Sequence, residues 1–114
     1  MNRLFHVPLS PFCRAVRLVM AEKKLGVELV EEKYWEARPE FMRRNPAGQV
    51  PILQIDGLTL CDSVAICEYI EEAHPTPALM PQSVADRAEV RRLVMWFNDK
   101  FYSEVFNDKI KIKN

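Results

Sequence analysis

Ser10-Pro11-Phe12-Cys13 is the stretch of this chain with the most chemistry in it. It lies between a strand-like run at residues 3–7 and an amphipathic helical pattern that opens at Phe12. Helix N-terminal N–H groups and the macrodipole stabilise anions and lower a thiol pKa well below about 8.5. Ser10 leads the motif, so Cys13 has no neighbouring thiol for a two-thiol cycle. The chemistry left is stabilisation of another molecule's thiolate, or none. The bland alternative is that Ser10 caps the helix ahead of Pro11, a role with the same geometry. Cys13, one turn on, reads as a packed thiol rather than a nucleophile. His6 reads as a strand-end residue, because no carboxylate is evidently placed to orient it as a base.

The elements that must position these residues follow from the periodicity. Residues 3–7 form a strand ended by Pro8, and Phe12, Val16, Val19 and Met20 recur at helical spacing with Arg14, Arg17, Lys23 and Lys24 largely opposite. That pattern predicts a helix of about four turns, stopped by Gly26. Residues 27–33 are β-rich, and a short helical or irregular piece follows at 39–44. The turn Asn45-Pro46-Ala47-Gly48-Gln49 leads into a strand at 50–55, and Asp56-Gly57 signals a two-residue hairpin into 58–60. Asp62-Ser63 opens another helix, which runs to His74-Pro75. A stiff linker with Pro75, Pro77 and Pro81 follows, and then a last helix from about Val84 to Phe106. On that helix Val90, Leu93, Val94, Phe97, Phe101 and Val105 form an apolar stripe, with Arg87, Arg91 and Arg92 on a basic flank read as a solvated face. Residues 107–114 read as a polar tail.

The order β-α-β-α-β-β-α predicts a four-stranded mixed sheet with helices packed on it, an α/β architecture of thioredoxin-like topology. A helix crossover makes the first two strands parallel, and the hairpin adds an antiparallel pair. The expected division is a first domain at residues 1–76, a linker at 77–82, and at 83–114 the first helix of an incomplete all-α second domain.

Composition narrows the function classes. The 114 residues suit about one domain, with 48% hydrophobic and 28% charged residues, as in ordinary soluble proteins. The formal net charge is zero, which removes the electrostatic case for nucleic acid or an anionic membrane as partner. No apolar run approaches the roughly 18 residues that span a bilayer, and the N-terminus lacks a signal peptide's apolar core. Cys13, Cys61 and Cys67 lack metal-ligand spacing and read as reduced thiols in a cytoplasmic compartment, and His6 and His74 sit near no cysteine pair. No metal is expected.

Three separated elements together resemble the N-terminal domain of glutathione S-transferases: Ser10-Pro11-Phe12, the run from Asn45-Pro46 to Val50-Pro51, and Asp62-Ser63. The first also resembles a thioredoxin-type C-P-F/Y-C motif with serine in place of its first cysteine. The resemblance implies a glutathione site made of Ser10, Phe12, Val50, Pro51, Asp62 and Ser63, and a transferase-type activity if the chain is catalytic. In the family's pattern Ser10 donates a hydrogen bond to the glutathione thiolate. Val50-Pro51 is a cis peptide whose backbone pairs with the cysteinyl unit. Asp62 and Ser63 hold the γ-glutamyl end at a helix N-terminus. The bland readings are a trans proline at a strand start for Val50-Pro51 and an N-cap pair for Asp62-Ser63.

The wording of residues 6–17, 31–36, 62–72 and 87–101 is similar to a bacterial branch of the family that binds the division filament protein FtsZ and is not known to conjugate. That implies a second function, a non-catalytic interaction module in cytokinesis. Tyr34 and Trp35 among Glu31, Glu32 and Glu36 suit either a protein contact or a lid over the core edge. The electrophile pocket of the family lies between two domains, so conjugation by residues 1–114 alone is not expected. The apolar stripe of the last helix implies a homodimer.

Overall fold

The computed structural model describes residues 1–107. Two compact units divide after Pro77. The first holds a four-stranded sheet in the order β2-β1-β3-β4, with β1 at Arg3–His6, β2 at Glu28–Glu31, β3 at Ile52–Ile55 and β4 at Leu58–Cys61. β1 pairs parallel with β2 and antiparallel with β3, and β3 pairs antiparallel with β4. The mixed sheet expected from the element order is therefore present.

The central strands are buried on both faces, and their side chains alternate between two clusters. Leu4, Leu53 and Ile55 point to one face and pack with Val16 and Met20 of α1 (Pro11–Glu22) and with Ile66 and Ile70 of α3 (Ser63–Ala73). Phe5 and Ile52 point to the other, where Phe41 of the short α2 (Pro39–Arg44) covers them. Each such side chain, fully buried, contributes about 1.5–3 kcal/mol. The edge strands β2 and β4 are largely exposed. Asp56 and Gly57 both take positive φ (51° and 76°), as the tight hairpin turn requires.

α1 is shorter than the helical pattern suggests, and Gly26 does not stop it. Lys24 takes the left-handed conformation (φ 56°), its N–H donates to the Ala21 carbonyl at 3.0 Å, and the Leu25 N–H donates to the Met20 carbonyl at 2.9 Å. This pair of bonds is a Schellman cap closed by a lysine. Leu25 packs on the cluster that contains Met20, which is the apolar contact that holds such a cap.

Lys23, adjacent to that cap, is buried. Its Nζ lies 2.7 Å from Glu71 Oε1 on α3 and donates to the Pro77 carbonyl at 2.6 Å. A second buried charge, Glu32, makes a two-pronged pair with Arg38 just before α2, at 2.6 and 3.0 Å. Tyr34 and Trp35 form a short 3₁₀ turn and touch edge to face at 5.2 Å. Both are exposed, which fits the protein-contact alternative rather than the lid over the core edge.

In the second unit, Ser83 caps α4 (Val84–Met95) by accepting from the Asp86 N–H, and wider π-type winding continues over Trp96–Asn107. No residue of α4 is buried; Leu93 and Val94 of the apolar stripe are exposed, as is Phe97 beyond it. Phe101 and Val105, also placed on the stripe, lie outside the described side chains, as does the polar tail from residue 108. Arg92 pairs with Glu89 on the solvated face.

Lys23→Ala is expected to cost about 3–5 kcal/mol, because it removes one member of a buried ion pair and the donor to the Pro77 carbonyl. The double change Lys23→Met with Glu71→Leu should recover most of that loss. Urea unfolding of wild type and the two variants checks both statements, and a loss below about 1 kcal/mol for Lys23→Ala would count against a structural role for the pair.

Candidate functional site

Three chain segments meet at one end of the sheet because of strand register. Phe5 of β1 lies opposite Ile52 of β3, and Ile52 lies opposite Cys61 of β4. The loop after β1 leads to Ser10, Pro51 immediately precedes β3, and Asp62 immediately follows β4. Ser10, Val50, Pro51, Asp62 and Ser63 therefore share one end of the sheet. Phe12, half-buried in the first turn of α1, stands beside them.

Ser10 is delivered by a tight turn. Its N–H donates to the Val7 carbonyl at 3.1 Å, with Pro8 second in the turn, where its fixed φ is favoured. Its extended backbone (φ −72°, ψ 124°) and Pro11 at the helix start make it the N-cap of α1, and its Oγ accepts from the Cys13 N–H at 3.2 Å. The cap uses an oxygen lone pair only, so the hydroxyl proton is still available to donate. The capping reading and the thiolate reading are thus compatible.

Asp62 holds α3 in the same manner. Its Oδ1 accepts from the Val64 N–H at 3.2 Å, and its carbonyl accepts from the Ile66 N–H at 2.9 Å. It does so with φ at 77°, a conformation that costs a non-glycine residue on the order of 1–3 kcal/mol. Ser63, the first residue of α3, is buried.

The turn before Val50-Pro51 is pinned by a side chain that composition alone did not single out. Asn45 is buried; its Oδ1 accepts from the Ala47 N–H at 3.1 Å and its Nδ2 donates to the Gln49 carbonyl at 3.0 Å. Gly48 takes φ 68°, and a Cβ there would sit 3.4 Å from the Met42 sulfur. The Val50-Pro51 bond is cis, as the resemblance implied, and the trans strand start is not adopted.

None of the three thiols is poised as a nucleophile at this end of the sheet. Cys13 is fully buried. Burial pushes the Cys61 thiol up, and burial, with Glu68 and Asp62 adding to it, pushes Cys67 up to about 11. All three are free cysteines. Among the described residues no group of His, Cys, Asp and Glu is arranged to hold a metal ion. The surface grooves lined by Glu40, Arg43, Arg44 and Thr59, and by residues 1–2 with 54–59, include no member of this set.

His6 and Arg17 complete the surroundings of the Ser10 turn. One guanidinium nitrogen of Arg17 lies 3.0 Å from His6 Nδ1, and the other donates to the Pro8 carbonyl at 3.2 Å. Burial and the Arg17 charge hold the imidazole below the ordinary histidine range, partly offset by Glu31. Helical spacing put Arg17 on the solvated side of α1; no sequence signal linked it to a histidine on β1.

A family model for the glutathione S-transferase N-terminal domain matches residues 4–78. The chain is 43% identical over 106 residues to FtsZ-localized protein A of Caulobacter vibrioides, covering 90% of this chain and 46% of that protein. Among solved structures, a glutathione S-transferase from Rhodospirillum rubrum F11 superposes with a TM-score of 0.88 at 52% identity, covering 92% of this chain and 48% of the other. A glutathione S-transferase from Methylobacterium radiotolerans, solved in complex with glutathione sulfonate, superposes with a TM-score of 0.75 at 35% identity, covering 80% and 43% of the two chains. The chain thus spans less than half the length of these relatives. By the family model, the relatives and the fold together, the chain belongs to the glutathione S-transferase N-terminal domain family.

Proposed function

We propose that the end of the sheet carrying Ser10, Val50-Pro51 and Asp62-Ser63 binds glutathione. The observation that carries this reading is the Phe5–Ile52–Cys61 register, which gathers two helix N-termini and the Val50-Pro51 backbone at one place. Asp62, through the carboxylate oxygen its cap does not use, takes the γ-glutamyl ammonium. The Ser63 hydroxyl and the first amides of α3 take its carboxylate. The Val50 backbone pairs with the cysteinyl unit, Phe12 flanks it, and the Ser10 hydroxyl favours the ligand's thiol in its charged form. No metal takes part. Because the chain's own thiols are buried or pushed up, the reactive sulfur is the ligand's. Glutathione transferase chemistry follows when an electrophile is held beside that thiolate, which supplies the proximity such a reaction needs. The free cysteines suit a reducing, cytoplasmic setting.

A second reading rests on a different observation. The relative at 43% identity is named for localisation with FtsZ, which supports a cell-division role for this chain with FtsZ as protein partner. The exposed Leu93 and Val94 support self-association through α4 as a homodimer.

Calorimetry with glutathione separates the first two readings. Wild type is expected to release heat at millimolar ligand or below. Asp62→Ala should weaken binding by roughly 10- to 150-fold, the equivalent of a charge-assisted hydrogen bond at about 1.5–3 kcal/mol. Ser10→Ala should weaken it less, because Ser10 tunes only the thiol. No heat from wild type would favour the partner-binding reading, and equal losses in the two variants would contradict the assigned roles.

Light scattering at micromolar concentration tests association. Wild type is expected as a dimer and Leu93→Asp as a monomer; a monodisperse wild-type monomer would remove the case for a homodimer.

A further inference from the structure

We propose that Arg17 is a positioning residue for the Ser10 turn, bridging His6 and the Pro8 carbonyl, and that protonation of His6 releases this bridge and with it the geometry of Ser10. The bridge has two ends. Arg17 donates from one nitrogen to Pro8 at 3.2 Å and holds its other nitrogen 3.0 Å from His6 Nδ1. A guanidinium only donates, so Nδ1 must accept, and the neutral ring carries its proton on Nε2.

A protonated imidazole has N–H at both nitrogens and cannot accept. The contact then becomes donor against donor, with two positive charges at hydrogen-bond distance. The charged groups facing the ring are Arg17 from α1 and Glu31 from β2, its register partner. Pro51, the next step in register on β3, carries no charge. Glu32 meets His6 through its main-chain N–H, and its carboxylate is held by Arg38. Protonation therefore shifts the balance from Arg17 towards Glu31.

The other end of the bridge explains why this reaches Ser10. The Pro8 carbonyl belongs to the middle peptide of the turn that the Ser10 N–H closes onto Val7. The orientation of that middle peptide distinguishes one turn type from another. Arg17 fixes it from outside the turn, and Ser10 is the turn's last residue and the cap of α1. The consequence for a ligand's thiol rests on the glutathione reading above; the coupling of turn to imidazole does not.

The test follows the ligand-free, isotope-labelled protein by NMR from pH 8 to pH 5. The Ser10 and Cys13 amides are expected to move in one step at the midpoint of the His6 ring. Burial and Arg17 both oppose that protonation in the fold, so the step lies below the ordinary histidine range. In Arg17→Leu the ring should titrate at higher pH and the amide step should vanish. Arg17→Lys, whose single ammonium cannot span both acceptors, should show a reduced step should the leucine variant fold poorly. A Ser10 amide that stays flat while wild-type His6 titrates, or an undiminished step in both Arg17 variants, overturns the proposal.

In a second arm, glutathione affinity of wild type should fall about tenfold more between pH 7.5 and pH 5 than that of His6→Gln, which keeps an uncharged acceptor. Equal falls in the two proteins would overturn the link from the turn to the ligand. Absence of glutathione binding at every pH would sink the glutathione reading instead, and the amide step would still decide the coupling.

Discussion

The antiparallel register between β1 and β3 is the constraint on which the rest of the first unit depends. Both strands are central, and each presents side chains to two different cores: Leu4, Leu53 and Ile55 towards α1 and α3, Phe5 and Ile52 towards Phe41 of α2. A slip of one residue would exchange the two faces, placing Phe5 where Leu4 packs and opening both cores at once. The register is therefore strongly determined by burial. Once it is set, the ends of β1 and β4 and the start of β3 must lie side by side, and the functional residues are those that the chain supplies just past these ends.

Around this apolar frame, single polar side chains fix the connections. Asn45 shapes the turn into Pro51, Glu32 with Arg38 ties the exit of β2 to the start of α2, and Lys23 with Glu71 and the Pro77 carbonyl ties α1 to α3 and the chain beyond it. Arg17 does the same for the Ser10 turn. Buried pairs of this kind add little net stability over apolar replacements but penalise alternatives that leave one partner alone. Backbone geometry at the site follows from them. Asp62 at positive φ is held because its own side chain and carbonyl both cap α3.

What the sequence disclosed was the part governed by local rules. Asp56-Gly57 demanded a tight hairpin, Ser10-Pro11 and Asp62-Ser63 announced helix starts, and apolar spacing located α1 and α3; all of these are present. Local rules also misled. Gly26 looked like the stop of α1, yet the cap is made by Lys24, because the packing of Leu25 on Met20 outweighs the cost of a left-handed lysine. Lys23 looked like part of the polar face of α1, since the partner that makes its burial tolerable lies on another element. The roles of Arg17 and Asn45 were hidden for the same reason, being defined by what they reach rather than by what flanks them. The exposed Trp35 and Tyr34 show the converse, two large aromatic residues that the core does not recruit.

The most direct measurement is a map of amide shifts in the labelled protein as glutathione is added. Binding at the gathered end of the sheet predicts changes concentrated at Ser10, Phe12, Cys13, Val50, Ser63 and Val64, with the Asp56-Gly57 end silent. Shifts confined to α4, or to the groove of Arg43, Arg44 and Thr59, would contradict it.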